Sequence, residues 1–192
     1  VAQGVFDLGI TGQDWIEETG ADVVTLTPLH YSKATARPVN IVLAVSGDSP
    51  VQVVTDFRAG TRVSTEFPEL TRRYFERHGI EVDIHFSYGA TEAKVPDIVD
   101  AIVDLTETGA SLRAAGMRIV DTILTSHTEL VANPAAYQDP SKRHAMEQIA
   151  TLLTGTLEAR GKVLVKLNVA EDRLASVMEV LPAMKSPTVS KL

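Results

Sequence analysis

The segment Asp100 to Leu112, DAIVDLTETGASL, runs from an apolar strand through an acid and a loop of small residues into a helix start. A buried strand closed by such a turn is one half of a β-loop-α unit, and units of this kind assemble into sheets covered by helices. The remainder of the chain keeps the same alternation. Short β-rich apolar runs predict strands at Val5 to Ile10, Val39 to Val45, Arg62 to Thr65, Val82 to Phe86, Ala101 to Leu105 and Ile119 to Thr125. Amphipathic runs predict helices near Gln13 to Thr19, Pro68 to His78, Ser111 to Ala115 and a long one within Asp139 to Arg160. The reading is an α/β fold with a mostly parallel sheet, several of whose strands are buried on both faces.

Local signals set the boundaries. Gly79 supplies the left-handed conformation that ends the second helix. On that helix Leu70, Tyr74 and His78 recur at helical spacing as the core-facing stripe, which leaves Arg72, Arg73 and Glu76 solvated. The turn-forming run Ser46 to Pro50, SGDSP, is read as a hinge close to a lobe boundary. After Gly161 the alternating KVLVKLNV predicts a strand, followed by a helix from Glu171 to about Val180 and then Pro182, the opening of a separate small unit.

Composition narrows the function. At 192 residues and 44% hydrophobic the chain can bury a core, and its net charge of −7 repels nucleic acid and anionic membranes, for which no basic cluster compensates. No apolar run approaches the roughly 20 residues that span a bilayer. The absence of cysteine excludes a disulfide framework and thiolate metal sites, and is the ground for expecting a cytoplasmic protein. The chain opens on Val1 as if a helix-to-strand transition were already in progress, and it stops at Leu192 with little for its last helix to pack on. Both ends are therefore expected to be truncated.

Three strand-end loops carry the candidate chemistry. In the Asp100 to Leu112 segment Gly109 lets the backbone approach a ligand closely, and the loop amides with the Thr108 and Ser111 hydroxyls donate to phosphate oxygens at a helix N-terminus. Asp104 accepts from ribose hydroxyls, so a ribose carrying a 5-phosphate satisfies both halves. A bare Thr-Gly-x-Ser reads more simply as a capped turn, and the buried strand ending in an acid moves the balance toward a ligand. The second loop follows FDLGITGQD, where Thr11, Gly12 and Gln13 line an opposite wall; Gly9 and Gly12 read equally well as packing glycines. The third, SYGATEAKVP, offers Gly89 for close approach with Glu92 and Lys94 as opposite charges, and taken alone is an ordinary solvated loop. Of the five histidines none pairs at metal-binding spacing, so no protein-held metal is expected. Trp15 reads as a packing residue, His127 and His144 as surface residues, and no nucleophile motif is present.

Taken in order, DLGITGQD, VSTEFPELTRRYFERHGIEVDI, GATEAKVP, VDAIVDLTETGASLRAAGMRIVDTIL and ELVAN closely resemble the ATP phosphoribosyltransferases that begin histidine biosynthesis. The resemblance implies a two-lobed, periplasmic-binding-protein-like catalytic region of type II, with 1–42 and 120–160 in one lobe and 43–119 in the other. KVLVKLNVAEDRLASVMEVLPAMKSPTVS resembles the beginning of the ferredoxin-like regulatory domain of the long form, over 161–192. It implies that Asp104, Glu107, Thr108, Gly109, Ala110 and Ser111 bind phosphoribosyl pyrophosphate, Ser111 standing where Thr is commoner and Val103 where related enzymes often have a second acid. Gly12, Glu92 and Lys94 are implied to face the nucleotide.

The same resemblance implies transfer of the phosphoribosyl group to N1 of ATP with release of pyrophosphate, and magnesium carried by that pyrophosphate rather than by the protein. No acid, base or nucleophile is assigned. Histidine is the implied feedback inhibitor, and the implied assembly is a homo-oligomer, hexameric when intact and dimeric without the regulatory domain. The family's opening Pro-Asn-Lys-Gly motif has no counterpart here, so this length of chain is expected to be inactive by itself. Two rivals remain. A solute-binding protein of the same two-lobed fold has no use for a ribose-phosphate cradle, and a regulatory pseudoenzyme would have a degraded one.

Overall fold

The computed structural model describes residues 1–30, 38–163, 165–180 and 189–190. The chain divides into Val1–Glu158 and Ala159–Leu192. In the first unit β1 (Leu8–Gly12), α1 (Gln13–Thr19) and β2 (Val24–Leu29) precede a long central run. That run is β3 (Val39–Ser46), β4 (Thr61–Thr65), α2 (Pro68–Arg77), β5 (Val82–Phe86), β6 (Ala101–Thr106), α3 (Ala110–Ala114) and β7 (Met117–Ser126). β8 (Thr128–Ala132), α4 (Pro134–Gln138) and α5 (Pro140–Glu158) complete it.

The strands form two sheets, a three-stranded one in the order β1-β8-β2 and a five-stranded one in the order β5-β4-β6-β3-β7. β3 shows why the larger sheet sits where it does. Within its sequence VNIVLAVS the five apolar residues Ile41 to Val45 alternate between faces and are all buried. Ile41, Leu43 and Val45 pack with Val63, Phe67, Leu70, Tyr74 and Phe75 under α2, while Val42 and Ala44 pack with Ile102, Leu112 and Met117 under α3. In the smaller sheet, Ala132 packs with Ala136 of α4 and Met146 of α5, with Leu8, Val24 and Leu26 around them.

The larger sheet is mixed rather than mostly parallel. β4 runs parallel to β5 and β6, and β3 runs antiparallel to β6 and β7. Both neighbours of β8 are antiparallel to it. This reversal brings several strand ends to one edge. Because β3 is inverted, its start lies beside the ends of β6 and β7, with Asn40 opposite both Thr106 and Thr125. The chain therefore enters and leaves the larger sheet at the edge where the carboxyl ends of β4, β5, β6 and β7 point. That edge of an open α/β sheet is where ligands collect. In the smaller sheet Gly12 and Leu29 both lie opposite Thr128, so β1 ends beside the same crossing.

Several expectations shift. The segment before β1 is irregular, so that strand starts at Leu8 rather than Val5 and runs on to Gly12. Residues 42/43 and 119/120, expected as lobe boundaries, fall inside β3 and β7, which belong to the larger sheet throughout. The crossings lie between Leu29 and Val39 and at His127, and the Ser46–Pro50 turn is not a hinge but the exit from β3 at the opposite edge. β2, β8 and α4 were unpredicted: Pro28 disguised the first, and His127 alone separates β7 from the second. Gly79 ends α2 as expected, at φ 70° with its N–H on Glu76 O, but His78 is exposed and only touches the Tyr74 ring from outside.

The second unit contains a 3-10 turn at Glu171–Arg173 and α6 (Leu174–Val180). KVLVKLNV, expected as a strand, forms none among its described residues; Leu164 and Pro182 lie outside them. A strand needs a neighbour's backbone to complete its hydrogen bonds, and alternation alone supplies none.

Candidate active site

The loop from β6 to α3 is built by three anchors. Leu112, buried in the cluster under β3, fixes α3, and Thr106 at the end of β6 turns its hydroxyl to accept from Gly109 N at 2.8 Å. Gly109 itself sits at φ 70°. The backbone angle favours glycine, and a Cβ there would lie 2.7 Å from the mobile end of Arg113, at Nη1, and 3.1 Å from Ile119 Cδ1, so the space beside it is tight. Thr108 Oγ1 faces Ala110 N at 3.4 Å, and Thr108, Ala110 and Ser111 are exposed. With five residues, α3 has little dipole to offer, so the amides and hydroxyls of the loop matter more than the helix terminus expected from sequence.

Asp104 lies within β6, half-buried, its Oδ1 accepting from Leu105 N at 2.7 Å. Burial pushes its carboxyl above the ordinary aspartate range; the Leu105 N–H opposes this, and the charges of Glu92 and Glu66 reinforce it. The raised affinity for a proton means that ionised Asp104 costs the folded state stability. That cost is present at neutral pH and disappears as the pH falls and the folded carboxyl protonates. Asp104→Asn keeps an acceptor for Leu105 N without the charge. It is expected to raise the melting temperature near neutral pH, by an amount that shrinks on acidification. A melting temperature unchanged or lowered at neutral pH would contradict this.

The third loop is held to the same edge. Ser87 N donates to Thr65 O at 2.9 Å, and Glu66 Oε1 accepts from Gly89 N at 3.1 Å. Lys94 Nζ donates to the buried Ser87 hydroxyl, which is also 3.4 Å from Thr91 Oγ1. Glu92 and Lys94 thus share a 3-10 turn at Thr91–Lys94 close to Asp104. Glu66 was missed by sequence reasoning, although an acid directly after a predicted strand was its signal.

Gly12 stands on the other sheet, and no hydrogen bond or ion pair of the described residues joins it to Glu92 or Lys94. The space its Cβ would fill belongs to Asp14 Oδ1, at 1.9 Å. That buried carboxylate accepts from Ser126 Oγ at 2.8 Å, while Asp14 N donates to the same hydroxyl at 3.0 Å and Gln13 N to His127 O at 2.9 Å. Glycine here is a packing requirement of the α1 start. His127 is half-buried, 5.6 Å edge-to-face from His30, rather than a plain surface residue. Burial pushes the nearby Glu129 carboxyl up, against the charges of His127 and His30.

Among the described residues no three His, Asp or Glu side chains are placed to hold a metal ion, and no helix is long and apolar enough to cross a membrane. The family model for ATP phosphoribosyltransferase matches residues 1–155, and that for the HisG C-terminal domain matches residues 159–192. The ATP phosphoribosyltransferase of Desulforudis audaxviator is 53% identical over 192 residues, all of this chain and 66% of that protein. Its counterpart in Chlorobium phaeovibrioides is 50% identical over the same span, 65% of that protein. The chain thus spans just under two thirds of these curated relatives.

Among solved structures, the ATP phosphoribosyl transferase (HisG:HisZ) complex from Thermotoga maritima superposes with a TM-score of 0.70 at 27% identity, covering 81% of this chain and 72% of that one. The periplasmic aliphatic sulphonate binding protein SsuA from Escherichia coli superposes at 0.55 with 20% identity, covering 82% and 57%, a likeness of fold alone. The two-lobed α/β architecture is therefore that of periplasmic binding proteins. The family model covers most of this chain and the curated relatives are half identical to it throughout its length, so the chain belongs to the ATP phosphoribosyltransferase family.

Proposed function

We propose that this chain carries the phosphoribosyl site of an ATP phosphoribosyltransferase, the enzyme that moves the phosphoribosyl group of phosphoribosyl pyrophosphate to N1 of ATP in histidine biosynthesis. The observation that carries the reading is the β6–α3 loop: a half-buried acid, then a glycine at positive φ, at the carboxyl edge of a sheet in a chain of this family. Asp104 and Glu107 orient the ribose, and Thr108, Gly109, Ala110 and Ser111 receive the 5-phosphate. Glu92 and Lys94 face the nucleotide from the neighbouring loop, with Gly12 shaping the opposite wall through Asp14. Adenine N1 forms the new bond to the sugar's C1 as the bond from C1 to the pyrophosphate oxygen breaks, and the electron pair leaves with pyrophosphate. The protein's part is to align the two and to face the positive charge that develops on the sugar, for which a carboxylate pair is suited.

Magnesium belongs to the diphosphate in this reading, and no step depends on it. One lobe comprises 1–30 with 127–158 and the other 38–126, the cleft lying between their sheets. Residues 159–192 begin the histidine-binding regulatory domain of a cytoplasmic homo-oligomer. Calorimetric titration with phosphoribosyl pyrophosphate and magnesium tests the site. Saturable binding with about one ligand per chain is expected at micromolar to submillimolar affinity, the usual range for enzyme substrates. No heat at millimolar ligand would remove the reading.

A further inference from the structure

A ligand phosphate brings close to two negative charges, which hydrogen-bonding amides meet only in part unless a cation stands beside them. Among the described residues, the strand end that leads into the Glu107–Ser111 loop is acidic. Glu66 and Glu92 both act on Asp104, and the chain as a whole carries −7. Lys94, the cation expected from sequence, is turned toward Ser87 on the neighbouring loop.

Arg113 departs from this pattern. Its backbone N–H donates to Gly109 O at 3.0 Å, which fixes its Cα against the loop, and its Nη2 donates to Thr108 O at 3.0 Å. Nη1 lies 2.7 Å from the point where a Gly109 Cβ would be. The guanidinium therefore lies across the face of the loop that the missing side chain leaves open. It is exposed, and among the described residues it forms no ion pair with a carboxylate. A guanidinium held by one carbonyl keeps most of its donors, and their fork matches two phosphate oxygens at once.

Resting on the phosphoribosyl reading, we propose that Arg113 is the cation that grips the 5-phosphate at this loop, and that Gly109 is kept bare partly to give the guanidinium its place. The plain alternative is an arginine that only complements the last turn of α3. That role would alter stability and leave phosphate preference untouched.

Ribose 5-phosphate and ribose, titrated separately into this chain and into Arg113→Ala and Arg113→Lys, separate the cases. Ribose 5-phosphate should bind in preference to ribose. Arg113→Ala should weaken it by ~tenfold or more and flatten its salt dependence, with melting unchanged, and Arg113→Lys should recover part of the loss. If the parent prefers ribose 5-phosphate and Arg113→Ala binds it equally well, the arginine proposal fails while the cradle stands. A parent that does not distinguish the two sugars removes the phosphate cradle, and Arg113 with it. Equal losses in the alanine and lysine variants, accompanied by a lowered melting temperature, would mark a structural role and also overturn the proposal.

Discussion

Gly109→Val should abolish phosphoribosyl pyrophosphate binding, a loss of at least ~100-fold by calorimetry. Two costs combine at this position. A β-branched side chain at φ 70° is strained, by roughly 1–2 kcal/mol for a non-glycine residue and more with branching. The new Cβ also enters space held by Arg113 Nη1 and Ile119 Cδ1. Ile119 packs against the cluster under α3, so a branched side chain at Gly109 presses both on it and on the loop. A displaced loop breaks the Thr106 to Gly109 hydrogen bond and misplaces every donor aimed at the ligand. Gly60→Ala is the matched control: its φ is 81° and nothing lies within 4 Å of the new Cβ. It should lose roughly 1 kcal/mol of stability from backbone conformation and nothing in affinity. Equal affinity in Gly109→Val and the parent would mean that the loop does not hold the ligand.

Glu18→Ala should lower stability by about 3 kcal/mol, or ~6–12 °C in melting temperature for a unit of this size. Glu18 sits on α1 beside the smaller sheet, and its buried carboxylate accepts from Glu69 N at 3.0 Å and Leu70 N at 2.8 Å at the start of α2 on the larger one. α2 has Phe67 at its N-cap, with no side-chain cap of its own, so these amides depend on a residue 51 and 52 positions away. Trp15 packs on Phe67 with ring centroids 5.4 Å apart, and Arg73 Nη2 bonds Glu17 O, so the carboxylate is the centre of a tie between the sheets. Removing it strands two buried donors. Glu18→Gln retains one good acceptor and should lose about half as much. Hydrogen exchange at the Glu69 and Leu70 amides should accelerate in Glu18→Ala. Unchanged exchange there, or a melting temperature within a degree or two of the parent, would show that the tie is dispensable.

Much of this molecule was legible in its sequence where one physical signal acts alone. β3, β5 and β6 were placed to within a residue because short β-rich runs bounded by turn residues admit few alternatives, and α1 and the end of α2 followed from turn and glycine signals. The Asp104–Ser111 loop was recognisable because its glycine, hydroxyls and acid are contiguous. Val103 and Ser111 departed from the commoner pattern without obscuring it. The misplaced lobe boundaries had a different origin: SGDSP has the composition of a hinge, but any tight exit from a strand has the same composition.

By itself the sequence determined which segments are buried on two faces, which loop joins a glycine to hydroxyls and an acid, and which family the chain resembles, because these depend on neighbours within a few positions. Only the tertiary structure decided that β3 runs against its neighbours and so brings both chain crossings to the ligand edge. It alone turned Glu18 into the cap of a distant helix, set Asp14 in the space beside Gly12, and laid Arg113 over Gly109. Each of these is a pairing between groups separated along the chain or by a side-chain rotation. For the long-range pairings the energy exists only once the sheets have formed and water has been excluded from between the partners.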